Sequence, residues 1–250
     1  MIKQIFEKAK KENRPVYSLF VGCGDTSIEF TEKLVEALAS VGVELIELGL
    51  PFSDPTAGGA IIQESYQRAL LKNTNVLQVL DMVERLRKKG VKSAFVLSGY
   101  YNVYYQMGVE KLAKRTKEVG AQAWLIADLP LEQMDEVLPS LKENSLDFIA
   151  LVSHATPLER VMKISQTASG YLYHVENKTA TLEASQKRLQ EVKEVSALPV
   201  GANFGYTTKE NIDAIFVDCD FVDLIHKTLV SEGEDSAIKK AKDFAQNLLK

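Results

Sequence analysis

Residues 45–65 read LIELGLPFSDPTAGGAIIQES. An apolar run carries one carboxylate, Glu47, and passes into a loop rich in Pro, Ser, Asp and Gly. That placement suggests an acid/base residue at the mouth of a barrel, and the rest of the chain repeats the pattern. Short β-branched or aliphatic runs lie at 16–21, 43–49, 92–99, 123–129, 147–152, 170–175, 197–202 and 214–219. Longer amphipathic segments separate them. In NVLQVLDMVERLRKKG, for example, Val76, Val79, Leu80, Val83 and Leu86 recur at helical spacing while Glu84, Arg85, Lys88 and Lys89 face out.

Strand–helix alternation argues for a parallel sheet, because each parallel pair needs a crossover connection. Eight such units in 250 residues match the usual size of a closed barrel. The expected class is therefore α/β, a (β/α)8 TIM barrel with an extra N-terminal helix, in one domain spanning 1–250. A doubly wound open sheet would carry a Gly-rich phosphate turn after its first strand. The turn here, VGCGDTSIEF, lacks the GxGxxG spacing, so that reading is weaker.

Composition narrows the function classes. A hydrophobic content of 46% without a long apolar run fits a soluble globular chain. The opening MIKQIFEKAKKENRP is amphipathic and charged, with no apolar core or cleavage site, so no secretory signal is visible. A net charge of −4 argues against nucleic acid or an anionic membrane as the main partner. Cys23 and Cys219 are too few for a disulfide framework and fit a reducing cytoplasm.

Barrel active sites gather at the carboxyl ends of strands. On strand alternation Val43, Leu45 and Glu47 share a face, which points Glu47 inward at the top of the barrel. A carboxyl held there among Leu45 and Phe20 would be poorly solvated, with its pKa raised toward neutrality and able to give and take a proton near pH 7. A structural carboxylate tied to its own loop's amides is the alternative reading.

The segment ELGLPFSDPTAGGAIIQESYQRAL resembles the signature of the tryptophan synthase alpha subunit family, E-L-G-x-P-[FY]-S-D-P-x-A-D-G-x-x-I-Q. The segments GYYNVYYQMG (99–108), IADLPLEQMDEVLP (126–139) and LVSHATPLERVMKIS (151–165) are similar to the family's in the same order, over essentially the whole chain. The resemblance implies a barrel and a lyase of tryptophan biosynthesis. Such an enzyme splits indole-3-glycerol phosphate into indole and glyceraldehyde 3-phosphate without a metal or organic cofactor. It further implies Glu47 as the proton-transferring residue with Tyr173 beside it. Phe20 and Tyr100 would line an indole pocket, with Asp128 a retained strand-end carboxylate. Thr181 falls in the loop after the sixth strand and Gly205 in the seventh-strand turn. A beta-type partner subunit is implied through Pro51, Asp54, Pro55 and Asn102; a homodimer is equally compatible.

Departures from the pattern fall in the same place. The second carboxylate of A-D-G is Gly58 here, and recruiting Asp54 instead would break the match of Pro51-Phe52-Ser53-Asp54-Pro55. Leu182 stands where the pattern has a phosphate-contacting glycine. Asp218 and Cys219 replace Gly-Ser after the eighth strand, with Asp220 next. A carboxylate facing a phosphate dianion is repulsive. Two readings follow: a lyase with weak or changed, unphosphorylated specificity, or a non-catalytic relative that binds an indole-like ligand or a beta-type subunit. A metal site from Cys23, Cys219, His174 and Asp218 or Asp220 follows no compact ligand spacing, and buried thiols are the better reading. Tyr100, Tyr101, Tyr104 and Tyr105 could stack on a ligand or serve as packing.

Overall fold

The computed structural model describes residues 1–175, 179–205, 209 and 212–250. Helix α1 (Ile2–Lys11) precedes β1 (Val16–Gly22), α2 (Ile28–Ser40) and β2 (Leu45–Gly49). Two helices follow, α3 (Gly59–Leu71) and α4 (Val76–Lys88), then β3 (Ala94–Gly99), α5 (Tyr101–Met107) and α6 (Val109–Val119). Next come β4 (Ala123–Ile126), a 3-10 turn at Leu131–Glu136, α7 (Leu138–Glu143), β5 (Asp147–Ser153), α8 (Leu158–Thr167) and β6 (Leu172–Val175). The chain ends with α9 (Leu182–Val195), β7 (Val200–Asn203), β8 (Ala214–Val217), α10 (Cys219–Glu232) and α11 (Glu234–Leu249). No helix among the described residues is long and apolar enough to cross a membrane.

The strands form a closed barrel in chain order, with β8 pairing back to β1. Every pair is parallel, and the register puts Phe20, Glu47 and Val96 side by side on β1, β2 and β3. Strands in such a barrel are covered on both faces, which explains why β1, β2 and β3 are buried along their whole length. Alternate residues then divide between two layers. Leu19, Val21, Ile46, Leu48, Phe95 and Leu97 pack outward with the helices. Leu45, Val96, Leu125, Ile149, Tyr171, Tyr173 and Phe216 fill the inside.

All eight expected runs form strands with shifted boundaries, and two of the shifts bear on the site. Strand β2 begins at Leu45, and Val43 packs in the outer layer, so the expected shared face of Val43 with Leu45 is corrected. The eighth run stops at Val217, because Asp218 caps α10 and Cys219 is that helix's first residue. The predicted helix at 76–88 forms with Val76, Val79, Leu80, Val83 and Leu86 buried. Its start is fixed by Asn75 and Gln78, whose side chains exchange hydrogen bonds with each other's backbone.

The extra helix closes one end of the barrel. Ile2, Phe6 and Ala9 lie on one face of α1 and join the interior cluster. From there a column of rings runs inward. Phe6 meets Tyr171 at 5.5 Å between centroids, Tyr171 meets Phe216 at 5.4 Å, and Phe216 stacks on Tyr173 at 4.0 Å. The upper end of that column belongs to the cavity described next.

Candidate active site

At the carboxyl end of the strands a cavity of about 300 Å3 opens between β2, β3, β6 and the start of α10. This volume suits a small aromatic molecule. Its walls are Phe20, Ile62, Tyr100, Leu125 and Leu151, and its polar groups are Glu47, Ser98, Tyr173, Asn203, Asp218 and Asp220. The Phe20 ring packs against Gly49 because Gly49 has no Cβ; one built there would strike the ring and crowd the Tyr66 hydroxyl.

Glu47 points inward from β2 and is 6% exposed. Burial pushes its carboxyl up to about 7; a hydrogen bond from Ser98 works against the shift, and the negative charge of Asp218 adds to it. A group with that midpoint is present in both protonation states at neutral pH, the condition for acid and base work in one cycle. The alternative reading of Glu47, a carboxylate tied to amides of its own loop, has no support in these partners, since its hydrogen bond comes from Ser98 on the neighbouring strand.

Opposite Glu47 the structure places Asp218. Its Oδ2 accepts from the Tyr173 hydroxyl at 3.0 Å and from Asn203 Nδ2 at 2.8 Å, and its Oδ1 accepts from the Cys219 backbone N–H at 2.6 Å. Asn203 Nδ2 also donates to the Tyr173 oxygen at 2.8 Å. Burial, together with the charges of Asp218 and Glu47, drives the Tyr173 phenol well above its ordinary value, so it stays a donor. Residues from β6, β7 and the cap of α10 thus form one hydrogen-bonded group around a carboxylate.

Of the residues expected from the sequence, Glu47, Tyr173, Phe20 and Tyr100 meet in this cavity. Tyr100 stacks on Phe52 at 5.2 Å and accepts from the Ala57 N–H at 2.9 Å, tying the 51–58 loop to the wall. Asp128, Thr181 and Gly205 are exposed and do not line it. Asp128 accepts from the Tyr101 N–H at the start of α5, next to Tyr100, and Thr181 caps α9 through the Ala184 N–H. Leu182 is 51% exposed.

Gly58 lines the cavity without a side chain, and a Cβ there would come within 2.8 Å of the Ile62 side chain. Of the four tyrosines at 100–105, Tyr100 alone lines the cavity; Tyr104 is buried against Trp124 and donates to the Leu97 and Leu125 carbonyls. Cys23 lies in the outer layer and Cys219 in the cavity wall, so the two thiols imagined as metal ligands are not brought together. Among the described residues no group of His, Cys, Asp and Glu is placed to hold a metal ion.

The sequence assigns no role to Tyr66, Ser98 or Asn203, although Ser98 and Asn203 lie at the strand ends where barrel sites gather. Tyr66 was findable, since Ile62, Ser65, Tyr66 and Ala69 mark the buried face of α3. Asn203 and Asp218 meet Tyr173 only through barrel closure, which no local spacing announces.

The family model of the tryptophan synthase alpha chain matches residues 6–248. The tryptophan synthase alpha chain of Marinobacter nauticus is 36% identical over 220 residues, covering 86% of this chain and 82% of that protein. That of Nitrosomonas europaea is 33% identical over 241 residues, covering 94% and 87%. Among solved structures, tryptophan synthase subunit alpha from Legionella pneumophila superposes with a TM-score of 0.90 at 30% identity, covering 99% of this chain and 98% of that one. A barrel closed in the same order, matched from end to end by sequence and by shape, makes this chain a member of the tryptophan synthase alpha chain family.

Proposed function

We propose that the cavity is a carbon–carbon lyase site of the family type, with Glu47 as the acid/base and an indole-like ligand between Phe20 and Tyr100. The observation that carries this reading is a buried carboxyl, pushed up to about 7, on the wall of a ligand-sized cavity. In the family reaction the indole C3 gains a proton, the bond from C3 to the side-chain carbon breaks, and that carbon's hydroxyl loses its proton to become an aldehyde. Protons balance with no oxidant or cofactor, so one residue able to do both transfers suffices for the proton traffic. Tyr173, which donates to Asp218, stands in the same wall and can accept from the substrate hydroxyl.

Indole-3-glycerol phosphate itself is turned over weakly in this reading, or a related molecule replaces it. Gly58 offers no carboxylate to the ring nitrogen, and Asp218 stands at the α10 N-terminus. The chain then works in tryptophan biosynthesis or a derived step, in the cytoplasm. A beta-type subunit would dock against exposed Asp54 and Asn102 beside the cavity mouth. A second reading, a non-catalytic relative that binds an indole-like ligand or that subunit, is favoured by the same missing carboxylate at position 58.

The test is indole release from indole-3-glycerol phosphate by the purified chain, alone and with a beta subunit. Turnover that disappears in Glu47→Gln supports the lyase reading. Equal release by wild type and Glu47→Gln removes Glu47 from the proton transfer, and no release by either under all conditions overturns the lyase reading in favour of the binding relative.

A further inference from the structure

We infer that Asp218 sets the ligand class of this cavity: an aromatic molecule with an uncharged, hydroxyl-bearing tail, in preference to the phosphate ester of that tail. The inference rests on the proposed reading of the cavity as an indole-type site and adds which end of the ligand is selected and by what.

Three features lead to it. The 14-residue helix α10 starts at the cavity, with Asp218, Cys219 and Asp220 all in the wall. A helix N-terminus facing a cavity is ordinarily a place for a ligand anion, because its first N–H groups lack partners and its dipole favours negative charge. Here the chain supplies that anion itself, since Asp218 caps the helix and takes the Cys219 N–H.

Asp218 is also held in place. Turning it out of the cavity would break its bonds with Tyr173 and Asn203, on two other strands. The carboxylate is therefore a fixed part of the wall.

Among the described residues, the remaining wall offers a phosphate no cation. Glu47, Asp218 and Asp220 are the ionisable acids of the lining, and no Lys, Arg or His stands among the described residues that line it. A dianion placed there meets like charge in a poorly solvated space. Hydroxyl groups fit the same place, because the Asp218 carboxylate and the Tyr173 oxygen, whose own proton goes to Asp218, can accept from a ligand hydroxyl. An ammonium fits less well, since the Asp218 charge is already met by three donors and the helix end. Phe20, Ile62, Tyr100, Leu125 and Leu151 cover the aromatic body.

The experiment is calorimetric titration of the full chain with indole-3-glycerol and with indole-3-glycerol phosphate, repeated on Asp218→Asn and Asp218→Gly. Circular dichroism checks that each variant is folded. Asp218→Asn keeps a capping side chain and removes the charge, so it reads the electrostatic effect even if the glycine variant unfolds. The expected wild-type preference for the unphosphorylated compound is at least 10-fold, and Asp218→Asn reduces that preference at least 5-fold by improving phosphate binding. A wild type that binds the phosphate ester equally or more tightly overturns the inference while leaving the indole-type reading intact. So does an unchanged preference in folded Asp218→Asn. If wild type binds neither compound, the reading of the cavity fails and the inference falls with it.

Discussion

Glu47 and Glu32 are both buried glutamates, 6% and 8% exposed, and they are opposites. Glu32 sits on α2 facing α4, and burial alone would raise its carboxyl. Hydrogen bonds from Lys89 and Arg85, and the two positive charges, outweigh that and hold it below the usual range. Its ion-pair distances are 2.7 Å to Arg85 and 2.8 Å to Lys89. Among the described residues Glu47 meets the Ser98 hydroxyl and a second carboxylate but no cation, and it is driven the other way. The lesson is that burial alone does not mark a carboxylate as a candidate for acid/base work; burial without a compensating charge, next to a cavity, does.

The comparison can be broken most directly by activity. Glu47→Gln should lower kcat for any lyase reaction of this chain by at least about 100-fold, within the usual range for removing a general acid or base. Glu32→Gln should leave kcat unchanged, and a matched loss in both variants would abolish the distinction.

Stability against pH gives a test of comparable size. Folded Glu47 holds its proton to about pH 7, whereas unfolded it lets go near 4.5. Its burial cost is therefore absent below pH 4.5, grows as pH rises through this window, and is complete above 7, at about 3 kcal/mol. Urea unfolding should find Glu47→Gln about 3 kcal/mol more stable than wild type at pH 8 and nearly equal to it at pH 4.5.

Glu32 should show the reverse sign and a smaller size. Its stabilisation is present above its unfolded pKa and fades as pH falls through the depressed folded value. Because Arg85 and Lys89 are half exposed, Glu32→Gln should cost only about 1 kcal/mol at pH 7 in the same unfolding measurement.

The smallest effect sharpens the causes at Glu47. Removing the Asp218 charge with Asp218→Asn should move the Glu47 midpoint, read from a pH titration of its carboxyl carbon by NMR, to lower pH. The midpoint should stay well above that of a solvated carboxylate, because burial is the larger cause. A midpoint that does not move would show that the two carboxylates do not sense each other.

The barrel could be read from the sequence because its signal is local. Runs such as 16–21 and 147–152 must be apolar wherever a strand is covered on both faces, and the helices between them carry their own spacing. Glu47 was legible for the same reason, as a charge inside such a run at the end where barrel sites gather. The expected face shared by Val43 with Leu45 failed because alternation holds only once the strand has begun, at Leu45. Reading the run 214–219 as strand to its end misses the cap role of Asp218 too, although Asp218 and Asp220 interrupt the apolar residues between β8 and α10. The contact of Tyr173 with Asp218 joins residues 45 positions apart. It exists only because β6, β7 and β8 are neighbours in a closed sheet.

The column of rings has a consequence for where this molecule tolerates change. Phe6 in the amino-terminal helix and Tyr173 in the cavity are the two ends of one stack, with Tyr171 and Phe216 between them. Aromatic contacts of this kind fix ring planes as well as depth. The aim of the Tyr173 hydroxyl is thus referenced to the opposite end of the barrel. Cropping the first ten residues would spare every cavity residue and still leave the site without its datum.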